Sequence, residues 1–326
     1  MSDEVENMMY NNNGEYKLPW HGKGEPVEGL ATAEEAIEKG GLDWEVEKRQ
    51  VSVEGIGDVP DTFATVRTDT YEPLGIVGNK YTPLQNKDAF KFFDSIVGEG
   101  NAVYETAGAL SGGKRVWLLA KLPGHIRVLN DDITDKYLLL SNGHDGVSVV
   151  QALFTPVRVV CNNTLNAALR NMKNMISVRH TSTVDSQLER AGEIIRKQEV
   201  YFDLMQQSME AMTKVSFDES RTVDYFERVF EKGKYAKKKV DPESGEEEKQ
   251  SKWRGLDTLK DLAENGAGTD IAGVRGSLYG AFQAVTEYVD HGRNYRGKTD
   301  RMEACIYGNG AGIKRDAMKV AMNMLS

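Results

Sequence analysis

The chain is short of the features that announce chemistry. Only two cysteines occur, Cys161 and Cys305, far apart and inside patterned segments. Zinc sites and thiol redox motifs use closely spaced cysteines, so neither is indicated, and both thiols read as free and buried. No apolar run approaches the roughly 18 residues of a membrane-spanning helix. The N-terminus, MSDEVENMMYNNNGEY, has neither the basic start nor the apolar stretch of a secretory signal. A cytoplasmic protein with no membrane contact is expected. A basic surplus is missing too, for 41 Lys and Arg face 50 Asp and Glu, a net charge of −9. That argues against a nucleic-acid coat built on overall charge. It leaves room for a local groove, because phosphate binding depends on the Lys and Arg that actually displace counterions.

What is present is globular. Hydrophobic residues make up 40% of the 326 and charged residues 28%, enough apolar content to bury one large core or two moderate ones. The patterns predict an α+β protein: an antiparallel strand meander packed on helices, then a mostly helical C-terminal half. Residues 1–19 read as a flexible segment, 20–183 as the α+β core and 184–326 as the helical region. Thr32–Lys39 is a short helix stopping at Gly40-Gly41. Strands follow at 45–53, 63–68 and 74–77. A helix over 86–97 has Asn86 as its cap and Phe90, Phe93 and Val97 on one face. Val103–Leu110 and Arg115–Leu122 form a hairpin around Ser111-Gly112-Gly113. Further strands cover 137–141 and 147–160, the latter bent at Pro156, and Asn162 or Asn163 caps a helix reaching about Met172.

From Val184 the period changes. Leu188, Ala191, Ile195, Phe202, Met205, Met209 and Met212 recur every three or four residues, a long amphipathic helix whose Met-rich stripe reads as packing or as a partner-binding face. Helices follow at 222–231, along Leu278, Phe282, Val285 and Val289, and at 313–325. Residues 232–254 carry eight basic and five acidic residues with hardly an aliphatic one, which predicts a mobile, solvated insertion.

Five polar clusters interrupt these patterns. Ser141-Asn142-Gly143-His144-Asp145-Gly146 joins two strands; it pairs His with Asp for acid–base work, or is simply turn chemistry. In Pro156–Leu165, Arg158 lies mid-strand among valines, where a charge is costly unless paired or facing a groove. Asn162 and Asn163 follow at a helix start suited to an anion. Arg179 and His180 precede natural caps at Thr181–Thr183. Glu287–His291 leads into Arg293, Tyr295, Arg296 and Lys298, cations interleaved with tyrosines of the kind that pair phosphates and stack bases, or a hard-cation site through Glu287, Asp290 and His291. Finally, Tyr307-Gly308-Asn309-Gly310-Ala311-Gly312 lacks the spacing of a P-loop and reads as a docking loop for the last helix.

The run PWHGKG, GLDWEVEKR, NKYTPLQNKDAFKFFD, SNGHDG, TPVRVVCNNTL and SVRHTS resembles the family known as domain of unknown function 932, and the later stretch GVRGSLYGAFQAVTEYVDH followed by YGNGAGIKRDAM resembles its phage and plasmid branch. The likeness spans about residues 19–321. The strand meander followed by a helix is also similar in topology to single-strand annealing recombinases, which implies a basic groove holding a strand's backbone and a homo-oligomer.

These readings lead to one expectation and two rivals. The expectation is a phage- or plasmid-encoded protein that binds single-stranded DNA or RNA in recombination or replication, using no cofactor and no metal. Lys114, Arg115, Arg158, Asn162, Asn163, Arg179 and His180 would line the groove, and Arg293, Tyr295, Arg296 and Lys298 would add a second contact. One rival is an interaction module, such as an inhibitor of host defence, working through a host or phage protein partner. The other is a metal- or His-dependent hydrolase using His144, Asp145, His180 or His291.

Overall fold

The computed structural model describes residues 5–11, 25–27, 32–97, 102–129, 131–158, 163–164, 175–184, 186, 198–230, 255–293 and 301–325. The chain forms two compact units that interleave in sequence. The first takes Met1–Gly124, Lys136–Phe154 and Met175–Glu199; the second takes His125–Asp135, Thr155–Asn174 and Val200–Ser326. The strand-rich first half and helical second half make it an α+β protein, as the patterns predict.

The elements run β1 (Val5–Asn11), β2 (Glu25–Val27), α1 (Ala33–Lys39), β3 (Val46–Val53), β4 (Gly57–Arg67), β5 (Pro73–Gly78), α2 (Asn86–Val97), β6 (Val103–Leu110), β7 (Arg115–Val128), β8 (Asp132–Gly143), β9 (Val150–Phe154), β10 (Val157–Arg158), β11 (Asn163–Thr164) and β12 (Met175–Val178). In the first unit they build a sheet in the order β2-β1-β6-β7-β8-β9-β12 and a separate antiparallel meander, β3-β4-β5. The β6–β7 hairpin turns through Ser111–Gly113, with Leu110 opposite Arg115. Its strands read as apolar runs because Ala107, Ala109, Leu110, Val116, Trp117, Leu118 and Ala120 are all buried. Each large side chain among them contributes about 1.5–3 kcal/mol of burial. Helix α1 starts on a reciprocal box: the Thr32 hydroxyl accepts from the Glu35 N–H, and the Glu35 carboxylate accepts from the Thr32 N–H at 2.9 Å.

Two local expectations change here. Residues 5–11 belong to a stretch read as a flexible lead-in, yet they form β1, because Met8 and Met9 sit against Gly108 and Ala107 of β6 and are buried. The asparagines around them disguise this apolar anchor. The strand expected over 147–160 is two strands, β9 and β10, parted at Thr155-Pro156, where proline has no N–H for a ladder.

In the second unit the outer end of β8 pairs with β10, Thr134 opposite Arg158, and β10 pairs with β11, Arg158 opposite Asn163. Asn163 is therefore a strand residue and not a helix cap; the remainder of the helix expected up to Met172 lies outside the described residues. Helices follow: α3 (Gln198–Thr213), α4 (Glu219–Phe230), α5 (Gly255–Asn265), α6 (Leu278–Glu287), α7 (Arg301–Ile306) and α8 (Asn309–Met324). On α3 the stripe Phe202, Met205, Met209 and Met212 is buried, so these residues pack. Helix α6 is buried from Leu278 through Thr286, which makes it the central rod of this unit. It opens at its end into a π-turn, Tyr288–Gly292. Cys305 is buried, its thiol directed at the Val289 carbonyl at 3.5 Å. Cys161 and the charged stretch 232–254 lie outside the described residues.

Candidate functional site

The polar cluster of the first unit is organised by His144. Its backbone N–H donates to the Lys114 carbonyl at 2.8 Å, and its carbonyl accepts from the Thr65 hydroxyl at 2.7 Å, which ties β8 to the β6–β7 turn and to β4. The ring is fully buried, edge-on to Trp44 at 5.5 Å. Its Nε2 lies 3.0 Å from Asn86 Oδ1, so this nitrogen carries the proton and donates, while Nδ1 has no hydrogen-bond partner among the described residues. Asn86 does not spend its side chain on capping α2: its amide donates to the Leu42 carbonyl at 3.1 Å. Asn142, also buried, donates to the Leu84 carbonyl at 2.9 Å.

The loop after His144 lies directly on β5. A Cβ at Gly75 would stand 2.1 Å from the Asp145 carbonyl oxygen, and one at Gly146 2.7 Å from the Ile76 carbonyl oxygen, so both glycines are required by close approach. Asp145 Oδ1 accepts from the Val147 and Ser148 N–H groups, and Oδ2 from the Ser148 hydroxyl. Arg115 donates to that same hydroxyl at 2.8 Å. Partial burial opposes ionisation of Asp145, but these donors and the Arg115 charge hold its pKa below the ordinary range. Its lone pairs are engaged in shaping the turn.

His180 joins from the segment after β12. Its ring stacks on Tyr81 at 4.9 Å, and among the described residues neither ring nitrogen has a hydrogen-bond partner. Tyr81 donates its hydroxyl proton to the Gly143 carbonyl at 3.1 Å, and burial, reinforced by Asp145, drives its pKa well up. Burial pushes His144 down to about 3, helped by nearby His180 and opposed by Asp145. Burial likewise pushes His180 down to about 4, against the pull of the Thr82 backbone and Asp145. Both imidazoles are neutral near pH 7. They are weak bases enclosed in protein, the opposite of a general base poised at its working pH.

The expected groove residues divide between the units. Lys114, Arg115, Arg179 and His180 belong to the first. Lys114 and Arg179 are exposed, Arg115 is half-buried against the loop, and His180 is part of the buried cluster. Arg158, Asn163 and Arg293 belong to the second unit. Asn162, Tyr295, Arg296 and Lys298 lie outside the described residues. In the second unit Asp290, read as a possible cation ligand, is buried and accepts from Lys314 Nζ at 2.7 Å. Among the described residues no group of three or more His, Cys, Asp or Glu is placed to hold a metal ion. No described helix is long and apolar enough to cross a membrane.

Sequence reasoning reads Asn86 only as a helix cap and passes over Tyr81, Trp44 and Thr65, which together with it enclose the two histidines. Thr65 lies on β4, Asn86 opens α2, and Trp44 and Tyr81 sit in the loops before β3 and before α2, so no single element's pattern links them. A family profile described as "Domain of unknown function (DUF932)" matches residues 73–306, well over half of the chain. The chain belongs to the DUF932 family. The DUF932 match contains His144, His180, Lys114, Arg115 and Arg179, whereas Trp44, Arg49, Arg67 and Tyr71 precede it. No curated protein and no solved structure matches the chain, so the likeness to annealing recombinases gains no support.

Proposed function

We propose that this DUF932 chain binds single-stranded DNA or RNA through a small set of cations held on a rigid, chemically quiet scaffold. It would act in recombination or replication of a phage or plasmid, as a homo-oligomer. The observation that carries this reading is the position of Lys114 and Arg179. The Lys114 carbonyl is gripped by the His144 N–H, and Arg179 adjoins His180, whose ring interacts electrostatically with His144. Two exposed cations thus flank one buried, hydrogen-bonded cluster, with Arg115 beside its loop. Binding by backbone charge needs such fixed points and no bond-making groups. The net charge of −9 then works for specificity of place, repelling a strand from the rest of the surface.

The test is a titration of single- and double-stranded oligonucleotides over a series of salt concentrations. Lys114→Ala and Arg179→Ala are each expected to lower the salt slope by about one while leaving the melting temperature unchanged. Salt-independent binding, or none, would sink the proposal. One observation favours the rival of a protein-docking module. At the tip of the β3–β4 hairpin Ile56 is 84% exposed, beside exposed Val53 and the acids Glu54 and Asp58. Ile56→Ser decides it, by abolishing a protein complex without touching nucleic-acid affinity.

A further inference from the structure

We infer that Tyr71, with Arg49 over its ring, is a base-stacking platform that makes the proposed site select unpaired nucleic acid. The inference rests on the nucleic-acid reading above and adds to it a residue that binds bases rather than phosphates. Tyr71 sits at the turn between β4 and β5 with a φ of +60°, a conformation that costs a bulky L-residue and that glycine or asparagine would adopt freely. It is nevertheless a large aromatic, and it is 64% exposed. Burial therefore does not explain why the ring is there. The Arg49 guanidinium lies 5.0 Å from the ring centroid, and Arg49 is itself fixed by the Glu47 carboxylate. The ring is thus held in place yet remains largely open to solvent.

Its position fits the cations already named. The Tyr71 N–H donates to the Arg67 carbonyl at 3.1 Å, and the Arg67 side chain reaches the Gly112 carbonyl at 3.3 Å. Arg67 is anchored in turn over the Trp44 ring and on Asp69. The turn bearing Tyr71 is therefore clamped to the turn bearing Lys114. Exposed apolar groups continue the surface: Ile76 shares a row with Arg49 through Ala64, and Val147 projects from the loop seated on β5. An aromatic ring with cations and apolar neighbours is what a splayed strand requires, since every base offers a π-face and every phosphate a charge. In a duplex the base faces are already stacked and cannot reach such a platform.

The experiment compares thymidine, uridine and abasic oligomers of equal length on the full chain, with 2-aminopurine fluorescence reporting stacking. The wild type is expected to bind the two base-bearing oligomers roughly tenfold more tightly than the abasic one. Tyr71→Gly should erase that difference and the fluorescence change, keep the salt slope, and melt at or above the wild-type temperature because the strained φ is relieved. Tyr71→Phe should restore the preference. A thymidine–uridine difference would assign the strand as DNA or RNA. Equal wild-type affinity for abasic and base-bearing oligomers, with Lys114→Ala still weakening both, overturns the platform and leaves the charge reading standing. Binding to none of them overturns both.

Discussion

Two buried polar clusters, one in each unit, are built in opposite ways. In the first unit's cluster, around His144 and His180, the enclosed groups are neutral: two imidazoles, Asn86, Asn142 and the part-buried Tyr81 hydroxyl, with Nδ1 of His144 and Oδ1 of Asn142 lacking a hydrogen-bond partner among the described residues. In the second unit's cluster the buried groups are charged. Lys314 is 0% and Asp290 7% exposed, and their charges meet at 2.7 Å where α6 opens into its π-turn. A neutral cluster can be incompletely satisfied at modest cost, whereas an ion pair in low dielectric cannot lose a partner without leaving a bare charge. The first arrangement tolerates loops and an exposed cationic rim beside it. The second is suited to locking α6 against α8, helix to helix, in a closed core.

The largest expected effect follows from that contrast. Lys314→Ala should destabilise the protein by about 3–5 kcal/mol, since Asp290 stays buried in a helical core, and denaturant titration measures it. Replacing both partners by apolar residues of similar volume, Lys314→Met with Asp290→Leu, should recover most of the loss. If the single variant costs less than about 1 kcal/mol, charge burial is not what distinguishes the second cluster.

Acid sharpens the comparison from the other side. The folded-state pKa values of His144 and His180, about 3 and about 4, lie below the unfolded value. Between these values and about 6.5 the unfolded chain holds protons that the folded chain refuses. Stability is therefore complete above about pH 6.5 and falls as pH drops toward 4, by on the order of 2 kcal/mol per imidazole at pH 5. His180→Phe keeps the stack on Tyr81 and should flatten about half of the slope measured between pH 7 and pH 5. An unchanged slope would mean that His180 is not buried neutral.

A neutral cluster should also fail gently. Asn86→Ala removes the acceptor of His144 Nε2 and a donor to the Leu42 carbonyl, and should cost about 1–3 kcal/mol in a urea titration. That is less than the loss of Lys314, although three hydrogen bonds disappear, to His144 and to the Leu42 and Trp44 carbonyls, rather than one ion pair.

How far all this was legible depends on what kind of contact carries it. Periodicity located the β6–β7 hairpin and the buried Met205–Met209–Met212 face, because such features repeat within one element. Helix α8 begins at Asn309 rather than near Ile313, since small residues such as Gly310 and Ala311 pack as helix while reading as loop. The SNGHDG segment was singled out correctly as a polar interruption, but its meaning was not readable. Asp145 faces its own turn and His144 faces Asn86, 58 residues away in sequence. The exposed Tyr71 was passed over for a different reason. A tyrosine in a turn has no pattern to break, and only its φ and its Arg49 neighbour mark it.

The smallest effect tests the scaffold itself. Tyr81 makes two contacts of different character: its ring stacks on His180, and its hydroxyl donates to the Gly143 carbonyl. Tyr81→Phe keeps the first and removes the second, leaving one carbonyl short of a donor, so a loss of about 1 kcal/mol is expected by thermal or urea melting. The consequence for pH is more telling than the stability loss. The phenol is already driven above the range where it would ionise, so removing it takes away no titrating group below pH 9 or so. The acid slope set by His144 and His180 should therefore be the same in Tyr81→Phe as in the wild type, displaced downward by a constant amount. A slope that changes with the hydroxyl would show that Tyr81 is coupled to the imidazoles through the Gly143–Asp145 turn. The neutral cluster would then be a single titrating unit rather than two buried rings that resist protons independently.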